Sequence, residues 1–126
     1  MRRVVITGIG SWNGFGAGVG AFLDGLRSAG CAIGEMTLFP TEGFRTHRAA
    51  VAPTPEIDGD VPSRIARRLS RSDRLGLAAA REAWRGSGIG ESGLAPDRFG
   101  VVIGAHDDRV ERMARVEQPR PHDVEV

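Results

Sequence analysis

Apolar residues fall along this chain in three distinct rhythms. Residues 3–9, centred on Val4-Val5-Ile6, are β-branched and nearly continuous rather than alternating, which predicts a strand buried on both faces. Val19, Phe22, Leu23 and Leu26 follow at helical spacing and predict a short first helix, with Gly30 placed to close it in a left-handed turn. Residues 31–62 carry Pro40, Pro53, Pro55 and Pro62 and little periodicity. Arg48–Ala52 has the character of a short strand, but the prolines after it favour an extended crossing segment that packs on something else.

Helical spacing returns at Ser63–Ala66 and strongly from Asp73 to Trp84, where Leu77, Ala80 and Trp84 share a face flanked by Leu75, Ala79 and Ala83. Ser70 with Asp73 predicts a capping box in its acidic variant, and Gly86 and Gly88 end the helix. Trp84 is expected as a core anchor. A turn through Ala95-Pro96-Asp97 leads into a second apolar strand, Phe99–Gly104. Beyond it the texture changes: residues 105–126 are charged, hold two prolines, and keep only Val110, Met113 and Val116 as a thin apolar stripe. The expected organisation is a domain over 1–104 and a polar, poorly ordered tail over 105–126.

Composition narrows the function classes. One compact domain suits 126 residues, and no apolar run approaches the ~20 residues of a membrane span. Met1-Arg2-Arg3 before Val4 imitates an export signal, but the run breaks at Thr7-Gly8, so a cytoplasmic protein is expected. A net charge of +1 argues against nucleic-acid binding. All 17 basic residues are arginine, which removes any phosphate-binding, Schiff-base or general-base lysine. The one cysteine, Cys31, rules out an intramolecular disulfide. It sits beside no basic residue, and His47, His106 and His122 are scattered without metal-ligand spacing. No catalytic, cofactor-binding or metal residue is therefore assigned, and no cofactor is expected.

Two motifs remain ambiguous. Gly16-Ala17-Gly18-Val19-Gly20-Ala21 has dinucleotide-motif spacing, but it does not directly follow the strand and no ribose-binding acid lies downstream. The simpler reading is a tight strand-to-helix turn. Arg64, Arg67, Arg68, Arg71 and Arg74 form one basic face if the helix runs through; it reads either as solvated surface or as a contact for an acidic partner such as an acyl carrier protein.

The order of three segments carries a resemblance. Val4-Val5-Ile6-Thr7-Gly8-Ile9-Gly10, the Arg71–Trp84 helix and Phe99-Gly100-Val101-Val102-Ile103-Gly104 together resemble the N-terminal portion of the β-ketoacyl-(acyl-carrier-protein) synthases of the thiolase-like superfamily. The resemblance implies an α/β fold class: a partial thiolase-like fold with parallel strands packed by helices and an incomplete sheet. It also implies the decarboxylative acyl condensation of fatty-acid or polyketide synthesis, performed by a cysteine and two histidines that match no position here. The chain alone is then expected to be inactive. The partners implied are an acyl carrier protein or another ketosynthase chain, with a homodimer by resemblance; the alternative is a non-catalytic interaction module. After Gly104 such proteins usually continue with a glycine–threonine-rich turn, where this chain has Ala105-His106-Asp107-Asp108-Arg109. If those residues from His106 are encoded CAC GAC GAC CGG, the frame one base later reads three threonines and a glycine. A frameshift is therefore one expected origin of the segment.

Overall fold

The computed structural model describes residues 3–57, 59 and 61–104. The expected tail, with His106 and His122, lies outside these residues. The described chain opens with residues 3–11 outside any regular element. A tight hairpin follows, β1 (Trp12–Asn13) paired antiparallel with β2 (Gly16–Ala17). Asn13 builds its turn: its Oδ1 accepts the Phe15 N–H at 2.8 Å and its Nδ2 donates to Ser11 Oγ at 2.7 Å, the local bonding that favours Asn in turns. Helix α1 (Gly18–Arg27) leaves the hairpin directly, and Phe15 folds back on it. The Phe15 ring lies 6.4 Å from that of Phe22, in space a side chain at Gly25 would fill.

Helix α1 ends one residue earlier than the position of Gly30 predicts. Ser28 is its C-cap, Ala29 takes the left-handed conformation at φ 49°, and the Ala29 and Gly30 N–H groups donate to Leu26 and Gly25 carbonyls. These are the paired bonds of a Schellman motif, with alanine where glycine would be unstrained.

A second antiparallel pair joins β3 (Gly34–Glu35) to β4 (Arg48–Ala49) across a loop in which Phe39 and Phe44 stack at 5.8 Å. The proline-rich segment then supplies the most buried side chains of the described residues, Pro55 and Ile57. Rather than crossing loosely, it is fastened from both sides. The Trp12 indole N–H donates to the Pro53 carbonyl at 2.7 Å, and the Arg71 guanidinium donates to Thr54 Oγ1 and the Ala52 carbonyl.

Helices α2 (Ser63–Ala66) and α3 (Arg71–Ser87) complete the helical part. The capping box forms as the sequence predicts. Ser70 Oγ accepts the Asp73 N–H at 3.1 Å, Asp73 Oδ2 accepts the Ser70 N–H at 2.8 Å, and Gly88 closes the helix at φ 64°. The face that α3 presents is not the expected one. Ala78 is its only buried residue, Ala80 is exposed, and Trp84 is half exposed, leaning on Phe99 with ring centroids 5.7 Å apart. The close contact instead runs along Ala79, Ala83 and Ser87, against which the backbone of Gly8 and Gly10 lies so tightly that neither position has room for a Cβ.

The two apolar segments expected as buried strands stand differently. Among the described residues the ladders are only the two short antiparallel pairs, and neither Val4–Gly10 nor Phe99–Gly104 has a strand partner. Val4, Val5 and Ile6 are 95%, 71% and 85% exposed, and Val101, Val102 and Ile103 are 83%, 99% and 83% exposed. The physical reason is that a parallel strand forms only between neighbouring strands and under cover on both faces, and α3 lies along one side of Gly8–Gly10 alone.

Candidate functional site

Three elements converge on one acidic side chain. Glu82 lies four residues beyond the buried Ala78, on the same face of α3, and points into the glycine-rich turn. Its Oε2 accepts the Ser11 N–H at 2.9 Å and its Oε1 accepts the Val19 N–H at 2.8 Å. The Gly18 N–H donates to the Ser11 carbonyl at 2.9 Å, so the two ends of the hairpin are tied to each other as well as to α3.

This geometry gives α1 a cap its own sequence lacks. Ala17, the N-cap residue, has no side chain to accept a hydrogen bond, and the first turn of α1 holds no acidic residue. Glu82 brings a carboxylate from another helix to the Val19 N–H in the first turn of α1, at the positive end of the helix dipole. The Ser11 N–H, then the Val19 N–H, hold the Glu82 carboxyl below its ordinary value of 4.5.

That arrangement decides the dinucleotide motif. A phosphate bound by Gly16–Ala21 would take the N–H groups at the start of α1. Here the Val19 N–H already serves Glu82, and the Gly18 N–H serves Ser11. Gly16 at φ 136° and Gly18 at φ 86° supply backbone conformations that the hairpin and helix start require, so the glycines serve the turn.

Beside Glu82 opens a recess of about 580 Å³. Ala17, Gly18 and Ala78 line it together with Trp12, Glu56, Arg81 and Arg85, so both acidic and basic residues border it. No group of three or more His, Cys, Asp or Glu side chains among the described residues is arranged to hold a metal ion. Cys31 is exposed in the segment after α1, and the His47 ring bonds Thr41 Oγ1 through Nδ1 at 2.8 Å.

The basic face predicted over residues 64–74 is divided. Arg71 reaches Thr54 and Ala52, and Arg74 donates to the Ala66 carbonyl at 2.8 Å. Arg64, Arg67 and Arg68 are exposed. Sequence reasoning missed Glu82 altogether. The available signal was an acid at i+4 from a small residue on a helix face otherwise crowded with alanine.

Comparison with known proteins places the sequence in a family. The family model for the β-ketoacyl synthase N-terminal domain matches residues 1–125. The chain belongs to the β-ketoacyl synthase family. It is 36% identical over 103 residues to the tetracenomycin polyketide synthase ketoacyl synthase alpha subunit of Streptomyces glaucescens, covering 82% of this chain and 24% of that relative. It is 30% identical over 104 residues to the 3-oxoacyl-(acyl-carrier-protein) synthase 2 of Staphylococcus aureus, covering 82% of this chain and 25% of that relative. The ketosynthase-family chain thus spans about a quarter of the length of the curated relatives it matches. No solved structure gives a significant match. Membership implies a thiolase-like fold, of which the described residues carry small sheets and helices. Among the described residues no helix is long and apolar enough to cross a membrane.

Proposed function

We propose that this chain is the N-terminal, structural part of a cytoplasmic β-ketoacyl synthase of fatty-acid or polyketide synthesis. It contributes scaffold to a decarboxylative acyl condensation and no covalent nucleophile of its own. The family match over residues 1–125 carries the reading. The internal chemistry supports it. Glu82, the best-placed acid, is spent on holding the glycine-rich turn, and the Cys31 thiol lies in the open after a helix end rather than at a helix start. On this reading the ketosynthase-like domain extends over 1–104, and a frameshifted or truncated reading frame is one origin of the segment that stands where the turn is expected.

The gene sequence through and past the codon for Gly104 tests this. A frame, direct or shifted by one base, that supplies a cysteine and two histidines in ketosynthase context is the expected result. An uninterrupted alternative frame without such features refutes it. In parallel, intact mass of the purified chain after incubation with acyl-loaded carrier protein should show no added acyl group; acylation at Cys31 would overturn the structural role. The second reading, a non-catalytic module for an acidic carrier protein, has Arg64, Arg67 and Arg68 in its favour.

A further inference from the structure

Independently of the ketosynthase reading, we infer that Ser70 is a phosphorylation site for a basophilic serine/threonine kinase, one that uses ATP and selects its target by arginines just upstream. Ser70 closes the stretch Arg67-Arg68-Leu69-Ser70. Kinases of this class carry carboxylates beside the active site. Guanidinium groups two and three residues before the hydroxyl dock on them through charge-assisted hydrogen bonds. The other Arg-Arg pair of the chain, Arg2-Arg3, is followed by two valines and offers no hydroxyl. Ser72 has leucine and serine where the two arginines would need to stand.

The fold presents this pattern where a kinase can take it. Leu69 and Ser70 lie between α2 and α3, outside either helix, and Ser70 is extended at φ −66° and ψ 169°. Arg67 and Arg68 are exposed. Their N–H groups donate to the Ser63 and Ile65 carbonyls in a helix of a single turn, which opens at little cost, so residues 67–70 can straighten across an active site. Ser70 is half-buried and its bonds are local: Oγ donates to Asp73 Oδ2 at 2.8 Å and accepts the Asp73 N–H at 3.1 Å. Straightening frees the hydroxyl. Its oxygen attacks the γ-phosphorus of ATP, the bond to the leaving ADP breaks, and the kinase's catalytic carboxylate takes the proton.

The product redistributes charge. A phosphate brings about −1.5 to −2 charges at neutral pH and has no hydrogen to give Asp73. Repulsion then drives the Asp73 carboxylate from the reciprocal cap, while the phosphate keeps the Asp73 N–H and the positive end of α3. Arg64, Arg67 and Arg68, exposed on the same stretch, are largely neutralised. Phosphorylation therefore turns this basic surface off.

The test incubates the purified full chain with magnesium ATP and cyclic-AMP-dependent protein kinase, which prefers this arginine spacing, and maps the product by mass spectrometry. The chain isolated from its own cells is mapped in parallel. One phosphoryl group on Ser70 is expected in both preparations. Ser72→Ala should be modified like wild type, and Ser70→Thr, which keeps a capping hydroxyl, should take the group at the same position. Arg67→Ala and Arg68→Ala, at exposed positions, should melt like wild type and each lower kcat/KM for phosphorylation about tenfold or more. The modified chain should leave a heparin column at lower salt than the unmodified one. Absence of phosphate on Ser70 from either preparation overturns the proposal, as does a rate indifferent to both arginine substitutions. Unchanged heparin retention overturns the neutralisation of the arginine surface.

Discussion

Two glycine-to-alanine changes in contact with, or part of, the same helix should act in opposite directions. At Gly10 an added methyl would collide with the Ala79 carbonyl oxygen and stand 2.9 Å from the Ala83 nitrogen, both backbone atoms that no rotamer change can move. Overpacking of this kind costs about 1–3 kcal/mol, and the upper end applies where the obstacle is main chain. The smaller entropy of the unfolded chain returns about 0.4–1 kcal/mol, leaving Gly10→Ala about 2 kcal/mol less stable. At Gly76, inside α3, nothing lies within 4 Å of the position an added Cβ would take, and the backbone is not in the left-handed region. Gly76→Ala should therefore gain about 0.5–1 kcal/mol from helix propensity. Thermal and urea unfolding followed by helical circular dichroism read both. The two variants should melt about 10–20 °C apart, on either side of wild type. A Gly10→Ala protein as stable as wild type would refute the backbone-to-backbone packing of residues 8–10 on α3. A destabilised Gly76→Ala would refute the open outer face of the helix.

Glu82 sets a pH dependence of definite sign. Its folded carboxyl is held below the ordinary 4.5, by the Ser11 N–H first and the Val19 N–H second. Its contribution is therefore fully present above that value and lost as pH falls through the folded one. Asp73, lowered from 3.8 by its bonds to Ser70, acts with the same sign at lower pH. Glu82→Gln should flatten the upper part of the acid limb in a pH series of urea midpoints, and an unchanged limb would remove Glu82 as its cause. Ala29→Gly should raise the midpoint by about 1 kcal/mol, since alanine at φ 49° carries a strain that glycine lacks. A loss of stability there would show that the left-handed turn after α1 does not form.

How much of this was legible in the sequence depended on how local each interaction is. The capping box at Ser70 and Asp73 and the stop at Gly88 involve residues a few positions apart, and the chain encodes them without reference to anything else. The dinucleotide-like spacing was equally legible, and the turn reading preferred for it agrees with a structure in which the N–H groups that would bind a phosphate are engaged by Glu82 and Ser11, one of them across 63 residues. The face of α3, by contrast, was misjudged. Apolar periodicity marked Leu77, Ala80 and Trp84, whereas the closest packing uses backbone against backbone, where the absence of a side chain at Gly8 and Gly10 is the signal. The proline-rich segment gave no periodic signal at all, yet Ile57 is fully buried there, because Trp12 and Arg71 anchor it through its carbonyls rather than through an apolar stripe.

The two apolar segments invert the usual relation between pattern and burial. Their continuous β-branched runs specify a strand covered on both faces, and the fold leaves them the most exposed large apolar side chains among the described residues. A helix such as α3 closes its own hydrogen bonds and is stable in outline wherever its caps are met. A strand cannot: its N–H and C=O groups require a neighbour, and its two faces require two layers. Six such side chains, at about 1.5–3 kcal/mol each for full burial, represent on the order of 10 kcal/mol of stabilisation that the lone chain does not collect. That sum is comparable to the whole stability of an ordinary domain. The same quantity predicts that residues 1–126 taken by themselves are only marginally stable. A cooperative, monomeric unfolding transition at high temperature in the isolated chain would break this link, because it would require the six side chains to be buried already.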